Sequence, residues 1–193
     1  MRYFDFYQTQ LNGLLIVEPH ISFNDNGYSM ITYNDEFASY VRHIDGRLCS
    51  YVQDNESKSK KGVLRGIHTQ LKYPQGKLVR VTYGEVFDAV VDVRKDSPSF
   101  GEWFGIRLSS INRKMFLIPE GFLHGFLVLS DEAVFQYKCT RNYIPEDEIG
   151  VLWDDPEIGI NWPIELSGAP AISEKDRLNN VSFSRLREFI MNS

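Results

Sequence analysis

The stretch Lys77-Leu78-Val79-Arg80-Val81-Thr82-Tyr83-Gly84-Glu85-Val86-Phe87-Asp88-Ala89-Val90-Val91-Asp92-Val93-Arg94 decides the fold class. Two runs rich in β-branched and aromatic residues flank a single glycine. Such side chains suit the pleated, half-buried surface of a sheet, and Gly84 takes the positive φ that a tight hairpin needs. The pattern continues on both sides. Residues 63–70, 103–108, 114–118, 125–129 and 133–140 are further runs of this kind, interrupted by Pro74-Gln75-Gly76, Ser97-Pro98, Gly101, Pro119-Glu120-Gly121 and Ser130-Asp131. Short strands at spacings of roughly 8–12 residues predict a sandwich or barrel.

Helical signals are few. Residues 34–41 read as a short helix capped by Asn34. Residues 182–191 place Phe183, Leu186 and Ile190 at helical spacing and predict a terminal helix. The polar stretch 54–62 reads as a loop. There is no βαβ alternation, no GxGxxG and no GxxxxGK[ST], which excludes the common nucleotide folds built on those motifs. With no repeat and no linker, the 193 residues read as one domain, residues 177–193 forming a helical tail.

Composition narrows the function. Against 21 Lys and Arg stand 26 Asp and Glu, a net charge of −5, which argues against a nucleic-acid-binding surface. The charge is uneven, however. Between Lys58 and Arg80 lie seven basic residues and no acid, so the remainder of the chain carries −12. A basic island in an acidic chain predicts a local anionic ligand. The longest early apolar run, Leu14-Leu15-Ile16-Val17, falls far short of the roughly 20 residues that span a bilayer. No secretory signal is expected after Met1-Arg2. Cys49 and Cys139 stand without CxxC spacing; they read either as one disulfide or, in the cytoplasmic protein expected here, as buried thiols.

Several residues could carry chemistry. His68 lies in Gly62-Val63-Leu64-Arg65-Gly66-Ile67-His68-Thr69-Gln70. Ideal alternation puts Leu64, Gly66, His68 and Gln70 on one face and Arg65, Ile67 and Thr69 on the other. His68 is then either a satisfied core histidine or an inward-facing functional one. Lys77 either snorkels at a sheet edge or reaches into a pocket. Asp88, in an apolar strand, needs a buried partner, and His124 is the candidate. Tyr137 either packs or donates a proton. Asp176 by itself reads as a solvated loop carboxylate. Trp153-Asp154-Asp155-Pro156 suggests either metal carboxylates or a self-capped turn. His20 and His43 read as surface or packing residues.

Pro119-Glu120-Gly121-Phe122-Leu123-His124-Gly125-Phe126 resembles the second half of the cupin signature. The first half would need His-x-His, and the chain offers His68-Thr69-Gln70. Transition-metal sites usually take three or more protein ligands, so no metal is expected.

Taken with Val52-Gln53-Asp54-Asn55, Pro74-Gln75-Gly76-Lys77-Leu78-Val79-Arg80, Gly84-Glu85-Val86-Phe87-Asp88, Asp96-Ser97-Pro98, Tyr137-Lys138-Cys139-Thr140, Trp153-Asp154-Asp155-Pro156 and Ser173-Glu174-Lys175-Asp176, these motifs resemble the dTDP-4-dehydrorhamnose 3,5-epimerase family from about Leu11 to Asp176. The resemblance implies a mainly β, cupin-type jelly-roll barrel with a few short flanking helices. It also implies a homodimer with exchanged N-terminal strands, a nucleoside-diphosphate sugar substrate, and no cofactor or metal. By the same resemblance, His68 is the base, Asp176 its orienting carboxylate, Lys77 the oxyanion holder and Tyr137 the proton donor. Gln53, Asn55, Arg65, His124 and Tyr143 would line the substrate site, with Asp88 in support. Two departures concern the nucleotide end. Asn26 stands where the family usually has Arg, and Ile31 stands near an expected Glu.

Overall fold

The computed structural model describes residues 2–192. The strands are β1 (Phe4–Gln8), β2 (Leu15–Pro19), β3 (Ile21–Asn24), β4 (Gly27–Met30), β5 (Gln53–Lys60), β6 (Val63–Gln70), β7 (Lys77–Tyr83), β8 (Glu85–Asp92), β9 (Trp103–Ser109), β10 (Met115–Ile118), β11 (Phe122–Val128), β12 (Glu132–Cys139), β13 (Glu148–Gly150) and β14 (Ala171–Ile172). Three short helices follow the last long strands: α1 (Ile164–Ser167), α2 (Glu174–Asn179) and α3 (Phe183–Met191).

The strands form two facing sheets. The first runs β1-β2-β10-β7-β12-β5, and the second β13-β6-β11-β8-β9 with β14 added in parallel to β6. Val79, Val81, Phe116 and Phe135 of the first sheet meet Val86, Val90, Phe126 and Val128 of the second in one buried cluster. Residues of the two inner faces meet here, and inward residues alternate with outward ones along the regular parts of the strands. The chain is thus mainly β with a jelly-roll-like pair of sheets, as expected.

Each sheet also has an outer core. Leu64, Ile67, Val91 and Leu127 pack under Trp162 and under Phe183, Leu186 and Ile190 of α3. Ser182 caps that helix by accepting from the Arg185 amide. On the first sheet, Phe4, Val17, Leu78 and Met115 pack with Phe37. Phe37 sits on a 3₁₀ turn, Asp35–Ser39, where Asn34 caps as predicted but a shorter helical piece forms. Among the described residues no helix is long and apolar enough to cross a membrane.

Two local expectations are overturned. The stretch read as a loop at 54–62 is mostly the edge strand β5, paired with β12 from Gln53↔Cys139 to Lys60↔Glu132. It is polar on both faces because one face meets solvent and the other meets a cavity, so the usual apolar alternation is missing. Strand β11 begins at Phe122, three residues before its predicted start, and all of it is buried.

A third correction concerns β6. His124 pairs with His68, yet Phe126 pairs with Arg65. Three steps on β6 thus oppose two on β11, a β-bulge. The extra residue returns Arg65 and His68 to one face and Leu64 and Ile67 to the other, against the ideal alternation. The bulge depends on glycine. Gly66 has φ +116°, and a Cβ there would lie 2.7 Å from Gly125 Cα and 2.8 Å from the His124 carbonyl oxygen.

Candidate active site

A cavity of about 610 Å³ opens between the two sheets. Its first wall comes from β5, β7 and β12, which supply Gln53, Asn55, Lys77 and Tyr137. The facing wall comes from β6 and β11, which supply Arg65, His68 and His124. Tyr143 and the segment 171–176 close the mouth. The basic island predicted from charge therefore turns inward at Arg65, His68 and Lys77. Lys58, by contrast, pairs with Glu132 on the outside.

His68 is fixed by a residue 108 positions away. Its Nε2 donates to Asp176 Oδ1 at 2.8 Å. The carboxylate can only accept, so Nε2 carries the hydrogen and Nδ1 is the basic nitrogen. Asp176 is not a solvated loop residue. It lies on α2, is 5% exposed, and its amide donates to the N-cap Ser173 hydroxyl. Burial pushes the Asp176 carboxyl up, but the hydrogen bond and charge of His68 outweigh that and hold it below the usual carboxylate range.

A second imidazole–carboxylate pair lies beside the first. His124 Nε2 sits 3.0 Å from both oxygens of Asp88. Asp88 has no exposed surface and does not line the cavity; it reaches the cavity through its hydrogen bond to His124 and its charge near Lys77. Burial drives both members toward their uncharged forms, raising the pKa of Asp88 and lowering that of His124.

On the facing wall, Lys77 follows the Pro74-Gln75-Gly76 turn, which Thr140 anchors by accepting from the Gly76 amide at 2.9 Å. Burial pushes the Lys77 ammonium down, opposed by Cys139 and Asp88 nearby. Lys77 lies beside Cys139 across β7 and β12, and Tyr137 lies beside Asn55 across β12 and β5. Burial raises the Tyr137 phenol, keeping it protonated at neutral pH. Gln53 donates to Asn55 Oδ1 at 2.8 Å and accepts from the Tyr143 amide at 2.9 Å, so the edge-strand amides are fixed before any ligand arrives.

All nine proposed catalytic and substrate-lining residues border this one cavity, and Asp88 stands behind it. The sequence reading did not single out Lys175, Glu148 or Gln75, which border it too. Lys175 donates to Tyr143 Oη at 3.1 Å and also to Glu148. Its neighbour Asp176 was the available signal, whereas the three-residue strand holding Glu148 has no readable pattern. The Trp153-Asp154-Asp155-Pro156 segment is a capped turn. Asp155 accepts from the Glu157 amide at 3.0 Å and from the Phe183 amide at 2.8 Å. Among the described residues no three His, Cys, Asp or Glu side chains are grouped so as to hold a metal ion.

The family model described as dTDP-4-dehydrorhamnose 3,5-epimerase matches residues 8–183. The chain belongs to that family. A dTDP-4-dehydrorhamnose 3,5-epimerase of Methanothermobacter thermautotrophicus is 52% identical over 177 residues, covering 92% of this chain and 94% of its own. The Shigella flexneri epimerase is 48% identical over 184 residues, covering 95% and 98%. Among solved structures, the dTDP-6-deoxy-D-glucose-3,5-epimerase of Legionella pneumophila Philadelphia 1, in complex with dTDP-4-keto-L-rhamnose, is 42% identical. It superposes with a TM-score of 0.85 over 93% of each chain. The cavity described above is therefore that of an epimerase-family member.

Proposed function

We propose that the protein is an isomerase that inverts C3 and C5 of a nucleoside-diphosphate 4-keto-6-deoxy sugar, converting dTDP-4-dehydro-6-deoxy-glucose to dTDP-4-dehydro-rhamnose. The observation that carries this reading is the opposition of the two walls. An imidazole oriented by a carboxylate stands on one sheet, and a protonated phenol beside an ammonium stands on the other. The substrates of its relatives fit that opposition. A ketone at C4 acidifies the protons at C3 and C5. Removing one gives an enolate, and returning a proton from the opposite face inverts the centre.

In this reading His68 takes the proton at Nδ1, and Asp176 fixes its tautomer and stabilises the imidazolium. Lys77 holds the developing oxyanion; among the described residues its ammonium forms no hydrogen bond or ion pair, and it is poorly solvated, so it favours added negative charge. Tyr137 delivers the proton across the ring. Arg65 faces the diphosphate, Gln53, Asn55, His124 and Tyr143 shape the sugar and nucleotide site, and Asp88 orients His124. All these steps are acid–base chemistry and call on no cofactor.

We also propose a cytoplasmic homodimer made through the N-terminal strands. The β3–β4 hairpin supports this. It projects as a separate two-stranded unit with Phe23 and Tyr28 exposed at 69% and 50%. Asn26, at its turn, lies outside the cavity of its own chain.

The test is turnover of dTDP-4-dehydro-6-deoxy-glucose in D₂O, followed by NMR. Deuterium at both C3 and C5 of a rhamno-configured product is expected. Deuterium at one carbon only reduces the protein to a single-centre epimerase, and none with dTDP-, GDP-, CDP- and UDP-linked substrates refutes the reading.

A further inference from the structure

Ser59 is 7% exposed although polar, and it ends the inward row of β5 that begins with Gln53, Asn55 and Ser57. Its Oγ accepts a hydrogen bond from Arg65 Nε at 3.0 Å. The bond spans the Lys61-Gly62 turn and ties an edge strand of the first sheet to β6 of the second. Among the described residues Arg65 makes no other hydrogen bond or ion pair, which leaves its two terminal nitrogens available beside the cavity.

We propose that Ser59 is a positioning residue for the anion end of the substrate. A guanidinium is a planar fork with five N–H donors. Fixing it at Nε leaves the Nη pair directed outward, the arrangement that grips two oxygens of one phosphate side by side. Without that anchor the long side chain, on the open side of the cavity, samples many rotamers and must be ordered by the ligand. The bulge at Gly66 brings Arg65 to the cavity, and Ser59 sets which edge of it faces in. The ligand class, a diphosphate, rests on the function proposed above.

The experiment compares wild type, Ser59→Ala and Ser59→Thr in two ways. Calorimetry measures binding of inorganic pyrophosphate, dTDP and thymidine, and NMR follows the Arg65 Nε–H resonance without ligand. Ser59→Ala should weaken pyrophosphate and dTDP about tenfold while leaving thymidine unchanged, and should broaden the Arg65 Nε–H signal. In turnover it should raise KM by a similar factor with a much smaller change in kcat. Ser59→Thr, which keeps the hydroxyl, should restore both. Equal diphosphate affinity in wild type and Ser59→Ala, an unaltered Arg65 signal, or an equal loss for thymidine overturns the proposal alone. Wild-type protein that binds neither dTDP nor pyrophosphate overturns it together with the functional reading.

Discussion

Arg65 and His68 lie three residues apart on one strand and face the same cavity. A regular strand forbids that, and the bulge against Gly125 permits it. The site therefore rests on a backbone irregularity as much as on the side chains it presents.

Gly66→Ala should be among the most damaging small substitutions in the chain. The added methyl meets backbone at 2.7 and 2.8 Å on a residue at φ +116°. Backbone cannot yield as a flexible side chain can. A loss of about 3 kcal/mol is expected, roughly a 10 °C fall in melting temperature for a chain of this size. Calorimetry showing an unchanged melting temperature contradicts the bulge as described.

His68→Ala and Asp176→Asn should each lower kcat by about 10²–10⁴-fold. The second keeps the shape of the pair but removes the charge that fixes the tautomer. Because the two act as one unit, the double variant should be no slower than His68→Ala alone. Multiplicative losses in steady-state kinetics would show that they act separately.

Lys77→Met should separate activity from stability. Loss of the oxyanion holder should cut kcat by about 10²–10³-fold. Yet the native state holds Lys77 with a lowered pKa, so the unfolded chain binds that proton more tightly. Stability attributable to this residue therefore rises with pH from the lowered native value up to about 10.4, the ordinary lysine value. At pH 7 the charged residue is a burden, and Lys77→Met should melt higher than wild type. A lower melting temperature would mean that the ammonium has a compensating partner.

Asp176 gives a pH dependence of the same sign in a far lower window. Its native pKa lies below the ordinary value, so its contribution is complete above about pH 4 and fades as pH falls through the lowered value. In urea titrations from pH 5 down to pH 2.5, Asp176→Asn should lose less stability on acidification than wild type. Parallel slopes would deny the carboxylate this role.

Tyr137→Phe keeps the ring and removes the donor. Deuterium exchange on the His68 side should persist while inverted product falls about 100-fold. Equal losses of exchange and inversion, read by NMR, would place the phenol elsewhere in the reaction.

Much of the sheet was legible. β6 and β7 occupy their predicted residues, 63–70 and 77–83, because Val, Leu and Tyr runs bounded by Gly and Pro leave few alternatives. β5 was not, since its inner face carries Gln53, Asn55 and Ser57 toward a ligand cavity rather than apolar side chains toward a core. The short strands β1 to β4 went unread although Asn12-Gly13 and Asn26-Gly27, both strong turn signals, lie between them. α2 has six residues with only Leu178 apolar, and that side chain is exposed, so no periodicity announces it. Local pattern also put Arg65 on the wrong face, because a bulge depends on the neighbouring strand and not on the residues beside it.

The pairing of His68 with Asp176 has a consequence for biosynthesis. The ribosome makes the histidine strand early and the carboxylate helix 108 residues later. The two sheets can already be in place while α2 is still unmade, since among their strands only β14 and β13 lie beyond residue 140. During that interval the cavity has its walls but not its oriented proton acceptor.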